Sequence, residues 1–168
     1  MDKKLSIREI TLFGMLGALT FGAKWAMSGL PNIEPVSLMV MLFAVTFGIK
    51  CLYPIGIYVA MEVLFYGIQL WNVNYLYVWF MLALAAWLCR KMTNPLLWAI
   101  LAGLFGLSFG LLCAPVYVFI GGPRFAFAWW MAGLTFDVTH CIGNFVIVLL
   151  LFVPMRKLLG NLYRKYIL

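Results

Sequence analysis

Residues 52–68 read LYPIGIYVAMEVLFYGI, an uncharged apolar run broken by one acid, Glu62. Coiled as a helix at about 1.5 Å per residue, such a run approaches the roughly 30 Å hydrocarbon core of a bilayer. An acid near the centre of a spanning helix costs roughly 2.5–3.5 kcal/mol on insertion, so Glu62 implies a function or a buried partner that offsets this. The whole chain shares the character of this run. Of its 168 residues 66% are hydrophobic and 10% charged, and mean hydropathy is +1.05. Soluble domains carry roughly 25% charged residues. A spanning helix takes about 20 apolar residues, so the chain has room for about six spans and no separate soluble domain. Residues 1–168 therefore read as a single transmembrane domain, an all-α polytopic membrane protein.

Prolines, glycines and charges mark the expected helices at about 8–28, 35–49, 52–68, 74–88, 95–120 and 125–153, with a basic tail after them. The second is short for a span. The apolar stretch from Ile10 is too long for a secretory signal and lacks a small-residue cleavage site, so it reads as the first helix. On this map Lys3, Lys4, Arg8, Lys50, Arg90, Lys91, Arg156, Lys157, Arg164 and Lys165 fall on one side, and only Lys24 and Arg124 on the other. Positive charge marks the cytoplasmic side, so both termini are expected there, in a multi-pass protein of the cell membrane. The same distribution excludes a nucleic-acid surface, because the net charge of +7 sits at helix ends rather than on a basic face. Cys51, Cys89, Cys113 and Cys141 are scattered, form no CxxC, and read as reduced packing residues.

Polar groups gather on the outer side. Glu62 has Tyr66 one turn on and Gln69 near the helix end; Asp137, His140 and Asn144 follow i, i+3, i+7 spacing and share one helical face. The loop after the first helix carries Asn32 and Glu34 between Pro31 and Pro35, and the third outer loop carries Arg124, followed by Trp129 and Trp130. Trp71, Asn72, Asn74, Tyr75 and Trp79 form a polar, aromatic, uncharged stretch. The inner half shows only basic flanks and smooth apolar helix. A pocket open to the outside, with no polar track across the membrane, follows from that asymmetry. Each feature also has a plainer reading: aromatics as an interfacial belt, Asn72 and Asn74 as caps of the fourth helix, Asp137 and His140 as helix-to-helix glue.

Gly14, Ala18 and Gly22 place small residues on one face of the first helix, and Gly103, Gly106 and Gly110 form a looser strip on the fifth. Such strips permit close helix approach, either within the bundle or onto another membrane subunit.

Three stretches carry a family resemblance: Leu30-Pro31-Asn32-Ile33-Glu34-Pro35-Val36-Ser37-Leu38, Asn74-Tyr75-Leu76-Tyr77-Val78-Trp79, and Phe136-Asp137-Val138-Thr139-His140-Cys141-Ile142-Gly143-Asn144-Phe145. With six spans and a small strip on the first helix, the chain resembles, over essentially its whole length, the S components of energy-coupling-factor (ECF) vitamin transporters, and the three stretches look similar to the cobalamin subgroup. The resemblance implies a subunit that captures a vitamin at the outer face. It further implies docking, through the position of Gly14, Ala18 and Gly22, onto a membrane coupling (T) subunit driven by two cytoplasmic ATPases. The strip departs from the family's alanine-based pattern at two of its three positions. No GxxxxGK[ST] motif occurs in the chain, in keeping with ATPases on separate subunits.

The candidate substrate-binding residues are Lys24, Asn32, Glu34, Glu62, Trp71, Asn72, Asn74, Tyr75, Trp79, Arg124, Trp130, Asp137, His140 and Asn144. Their aromatic walls suit a ring system, and their amides suit ligand amides and carbonyls. A corrinoid, with its broad apolar ring and peripheral amides, is the expected substrate, and other heteroaromatic vitamins or nucleoside-like precursors fit nearly as well. No residue is assigned a catalytic role, and neither a cofactor nor a resident metal is expected. Two rival readings stand beside this one: an intramembrane enzyme built on Asp137, His140 and Glu62, and a structural membrane protein whose polar residues serve only helix packing.

Overall fold

The computed structural model describes residues 5–30 and 33–167. Helices account for nearly all of them, and no strand occurs among them. The elements are α1 (Ile7–Ala26), α2 (Val36–Phe47), a 3-10 turn (Gly48–Cys51), α3 (Leu52–Tyr66), α4 (Leu70–Leu88), α5 (Pro95–Leu107) and α6 (Phe109–Tyr166).

Local chemistry accounts for the ends. Ser6 and Glu9 form a reciprocal capping box that starts α1. Gly48 at φ 58° and Gly67 at φ 77° end α2 and α3 in conformations that side chains disfavour. Asn94 Oδ1 accepts from the Leu96 N–H ahead of α5, with Pro95 in the first turn.

Three boundaries differ from the sequence expectation. Helix α4 begins at Leu70 rather than 74, because Gln69 and Asn72 form a capping box one turn earlier. The long fifth helix is interrupted at Ser108, whose hydroxyl donates to the Leu104 carbonyl at 2.8 Å and whose own N–H closes a tight last turn. The tail after 153 is helical through Tyr166, running on past Pro154.

Helix α6 is a hairpin. Gly122 leaves helical geometry at φ 82° and ψ 177°, just before Pro123. The pairs Tyr117/Trp129, Gly110/Asp137, Gly106/His140, Ala102/Asn144 and Trp98/Phe152 step outward symmetrically from that point. The arm 123–166 therefore runs antiparallel to arm 109–121 and then to α5. Glycine permits the approach: a Cβ on Gly106 would lie 2.7 Å from the His140 carbonyl oxygen. The strip on the fifth helix thus packs within the chain.

Six separate spans are not what the helical pattern delivers by length and composition. Two continuous helical stretches, Val36–Tyr66 and Pro95–Tyr166, are long and apolar enough to cross a membrane, with hydropathies of 2.0 and 2.2. The first comprises α2 and α3, joined through the 3-10 turn at Gly48–Cys51, where Gly48 leaves helical geometry at φ 58°. The second merges two antiparallel arms.

Helix α2 is the hub. Every residue from Val36 to Ala44 is buried, as expected of a helix that is apolar all round. Helix α1 packs on α3 through Phe13, Gly17 and Phe21, and a Cβ on Gly17 would lie 2.6 Å from the Ile57 side chain. A Cβ on Gly14 or Gly22, by contrast, would meet nothing within 4 Å, and Ala18 is exposed. The Gly14, Ala18 and Gly22 face is therefore unused inside the bundle.

The end of the bundle that holds Lys50 is not smooth apolar helix, contrary to expectation. Glu9 is buried there, ion-paired with Lys50 and accepting from Tyr163 OH at 3.0 Å. One carboxylate thus ties α1, the 3-10 turn and the tail of α6. Nothing local in the sequence signals this knot, because Lys50 and Tyr163 lie 41 and 154 residues from Glu9.

Candidate functional site

The opposite end, where α1 and α3 finish and α4 begins, holds a cavity of about 390 Å³. Lys24 in the last turn of α1 reaches into it, with its Nζ 3.0 Å from Glu62 Oε2 and 3.1 Å from Tyr75 OH. The ammonium also lies over the Tyr75 ring, 5.0 Å from its centroid. Glu62 is 1% exposed. Its second oxygen, Oε1, is buried without a hydrogen-bond partner among the described residues.

An aromatic floor supports the ion pair. Tyr75 packs on Trp79 at 5.3 Å and on Tyr58 at 6.2 Å, and Trp79 meets Phe109 at 5.6 Å. Phe109 in turn meets the His140 ring edge-on at 4.9 Å. His140 lines the cavity, and its Nε2 is buried and unpartnered among the described residues, as are Tyr58 OH and Trp79 Nε1 beneath. Buried polar atoms are nearly always hydrogen-bonded. Two such atoms, Glu62 Oε1 and His140 Nε2, belong to residues that line this cavity, which suits a polar ligand or ordered water there.

Glu34, in the short loop before α2, lines the mouth and is partly buried. Burial raises its carboxyl above the ordinary 4.5; the Lys24 charge opposes that rise and the Glu62 charge adds to it. With two acids against one base, the lining favours a ligand rich in hydrogen-bond donors.

Of the candidate residues, Lys24, Glu34, Glu62, Trp71, Tyr75 and His140 line this cavity, and Trp79 lies in its floor. Trp71 is 41% exposed at the rim. The others go elsewhere. Asn72 and Asn74 are buried in α4: Asn72 Oδ1 accepts from the Gln69 N–H at 2.6 Å while its Nδ2 has no partner among the described residues, and Asn74 Oδ1 accepts from Tyr77 OH at 3.2 Å. Asn144 donates to the Ala102 carbonyl at 3.4 Å in the seam between α5 and α6. Arg124 is exposed beside the Gly122 turn and does not line the cavity. Asn32 lies outside the described residues.

Asp137 also belongs to the seam. Its Oδ1 accepts from the Gly110 N–H at 2.9 Å. That N–H is free because the helix restarts at Phe109, so Asp137 acts as an N-terminal cap reaching in from the facing arm. Trp130, half-buried two turns before Asp137 on the same face of the arm, interacts with that carboxylate and does not line the cavity. The shared face of Asp137, His140 and Asn144 is real, yet only His140 presents its side chain to the cavity. Among the described residues no three His, Cys, Asp or Glu side chains gather closely enough to hold a metal ion.

Sequence reasoning missed Tyr58 and Phe109. Tyr58 sits one helical turn before Glu62, which is a usable signal. Phe109 follows the break at Ser108 inside a plain apolar run and carries none. Comparison with protein-family models, with curated proteins and with solved structures finds no match for this chain.

Proposed function

We propose that this chain is a membrane-embedded solute-binding subunit that captures a vitamin-like micronutrient at the outer face, in the manner of an ECF S component. The observation that carries the reading is the cavity at Lys24, of ligand size and lined by Glu62 and His140, each of which holds a buried polar atom without a partner among the described residues.

Membrane embedding is supported by exposure. In the most apolar window of the stretch Pro95–Tyr166, only 39% of the residues are buried, at a hydropathy of 2.2. Leu64, Ile68, Phe119 and Leu150 are among the large apolar side chains left open. Water would not tolerate so continuous an apolar surface, whereas lipid would. We assign six passes: α1, α2, α3, α4, α5 with arm 109–121, and arm 123–166. The short α2 is shielded on all sides by the others. Arg8, Lys50, Arg90 and Arg156 make their contacts at the end opposite the cavity, which suits a cytoplasmic side there and an outward cavity.

Delivery follows the same scheme. The face of Gly14, Ala18 and Gly22 lacks a partner among the described residues, which favours docking onto a membrane coupling subunit powered by two cytoplasmic ATPases. The occupant is a heteroaromatic vitamin-class solute with N–H or O–H donors aimed at Glu62. A volume of about 390 Å³ suits a single ring system with a short polar arm. A corrinoid is the second reading, favoured by the imidazole of His140 in the lining, a metal-ligating group whose Nε2 has no partner among the described residues; only an edge of so large a ring would enter.

Thermal unfolding in neutral detergent, read against a panel of vitamins, tests the binding claim. A compound that raises the unfolding temperature of the wild type but not of Glu62→Gln supports it. A panel that includes corrinoids and shifts neither protein contradicts it.

A further inference from the structure

A second cavity, larger than the one at Lys24, lies at the other end. It is a groove of about 700 Å³ between α2, α5 and the extended tail of α6. Its accessible apolar wall is Val45 and Val153, behind which the buried Trp98 and Phe152 rings stack at 4.4 Å. Its rim is basic: Arg156, Lys157 and Arg164.

The three cations differ in how they are held. Arg156 donates to the Arg90 carbonyl at 2.8 Å and the Met92 carbonyl at 3.3 Å, which fixes its guanidinium 5.8 Å from the Trp98 ring centroid. Arg164 bonds only its neighbours Gly160 and Asn161. Lys157 is exposed and makes no ion pair among the described residues. Both ion pairs among those residues lie elsewhere, so none of the three cations has a described carboxylate in reach. The acid at this end, Glu9, is taken by Lys50 and Tyr163. The groove therefore carries three positive charges with no ion-pair partner among the described residues, beside the aliphatic Val45 and Val153.

We infer that this groove is a binding site for an anionic glycerophospholipid of the inner leaflet, with its phosphodiester among Arg156, Lys157 and Arg164 and its upper acyl chain along Val45 and Val153. The inference rests on the membrane reading above. Charge complementarity selects an anion, and the apolar wall selects an amphiphile over a free phosphate. The tail's helical course to Tyr166 gives this site its form, because it stacks Arg156, Gly160 and Arg164 on one face at four-residue spacing. A lipid there would brace the tail against α2 and α5, at the end of the molecule away from the solute cavity.

The test is native mass spectrometry of the purified chain in neutral detergent, titrated with palmitoyl-oleoyl phosphatidylglycerol, phosphatidylcholine or glycerol 3-phosphate. The variant is Lys157→Gln with Arg164→Gln; Arg156 is left intact because it holds the carbonyls at the end of α4. Each cation near an anionic lipid is worth roughly fivefold in affinity, so the double variant should bind phosphatidylglycerol about thirtyfold more weakly. Equal retention of the two lipids, or equal affinity of variant and wild type for phosphatidylglycerol, overturns the inference. So does glycerol 3-phosphate displacing the lipid at matched concentration, since that marks a soluble-anion site. Alkaline carbonate washing of membranes separates the two failures: a chain that washes off defeats the membrane reading itself, whereas one that stays while the lipid result is negative defeats this inference alone.

Discussion

Lys24 and Glu62 lie 3.0 Å apart and join the last turn of α1 to the second half of α3, with the acid 1% exposed. Removing one partner of such a pair leaves a buried charge, which costs about 3–5 kcal/mol. Lys24→Met should therefore destabilise the chain strongly in thermal unfolding. Lys24→Met combined with Glu62→Gln should recover much of that loss while still failing to bind solute. A double variant no more stable than the single would mean that the pair is not coupled as the geometry describes.

The two small-residue faces of α1 should behave oppositely. Gly17→Leu drives a side chain into Ile57 and the Pro54 carbonyl, and should lower the unfolding temperature sharply. Gly14→Leu with Gly22→Leu starts from Cβ positions with nothing within 4 Å and should leave the isolated chain's stability unchanged. On the docking proposal, the same pair should abolish copurification with a coupling subunit. Copurification that survives the pair removes α1 as the docking face.

In the α5/α6 seam, Gly110→Ala would place a Cβ 2.6 Å from Asp137 Oδ2 and break the cap at Phe109. Asp137→Asn keeps an acceptor for the Gly110 N–H and should be mild. Asp137→Leu strands that N–H in the core and should cost about 1–3 kcal/mol. If Asp137→Asn proves as damaging as Asp137→Leu, the carboxylate has a role beyond the cap.

Glu34 supplies a pH signature. Its carboxyl is raised by burial, so the folded chain holds that proton more tightly than the unfolded chain does. Its contribution to stability should fall as pH rises from the ordinary value of 4.5 through the raised one, and then level off. Unfolding midpoints of wild type and Glu34→Gln, measured across that window, should differ in slope. Parallel curves would show that the loop carboxyl is not buried.

Much of the site is legible in the sequence because depth and spacing are read from it directly. Glu62 announces itself by standing alone in an apolar run, and Asp137, His140 and Asn144 share the face that their spacing requires. Spacing names a face but not the neighbour opposite it. Asp137 and Asn144 therefore look like pocket residues, whereas they meet the backbone of Gly110 and Ala102. Asn72 and Asn74 mislead for a local reason: polar residues resemble a loop, yet Gln69 and Asn72 cap the helix that contains them. The basic composition after Pro154 hides the helical tail. The Glu9, Lys50 and Tyr163 knot depends on contacts across almost the whole chain.

The most direct test of the solute-binding account is native mass spectrometry of the detergent-purified chain from cells grown in rich medium. The account predicts a retained small molecule of vitamin class that disappears in Glu62→Ala, with the folded protein otherwise preserved. An empty wild-type chain that also takes up no vitamin added in excess would contradict it, and would leave the cavity at Lys24 as a feature of helix packing.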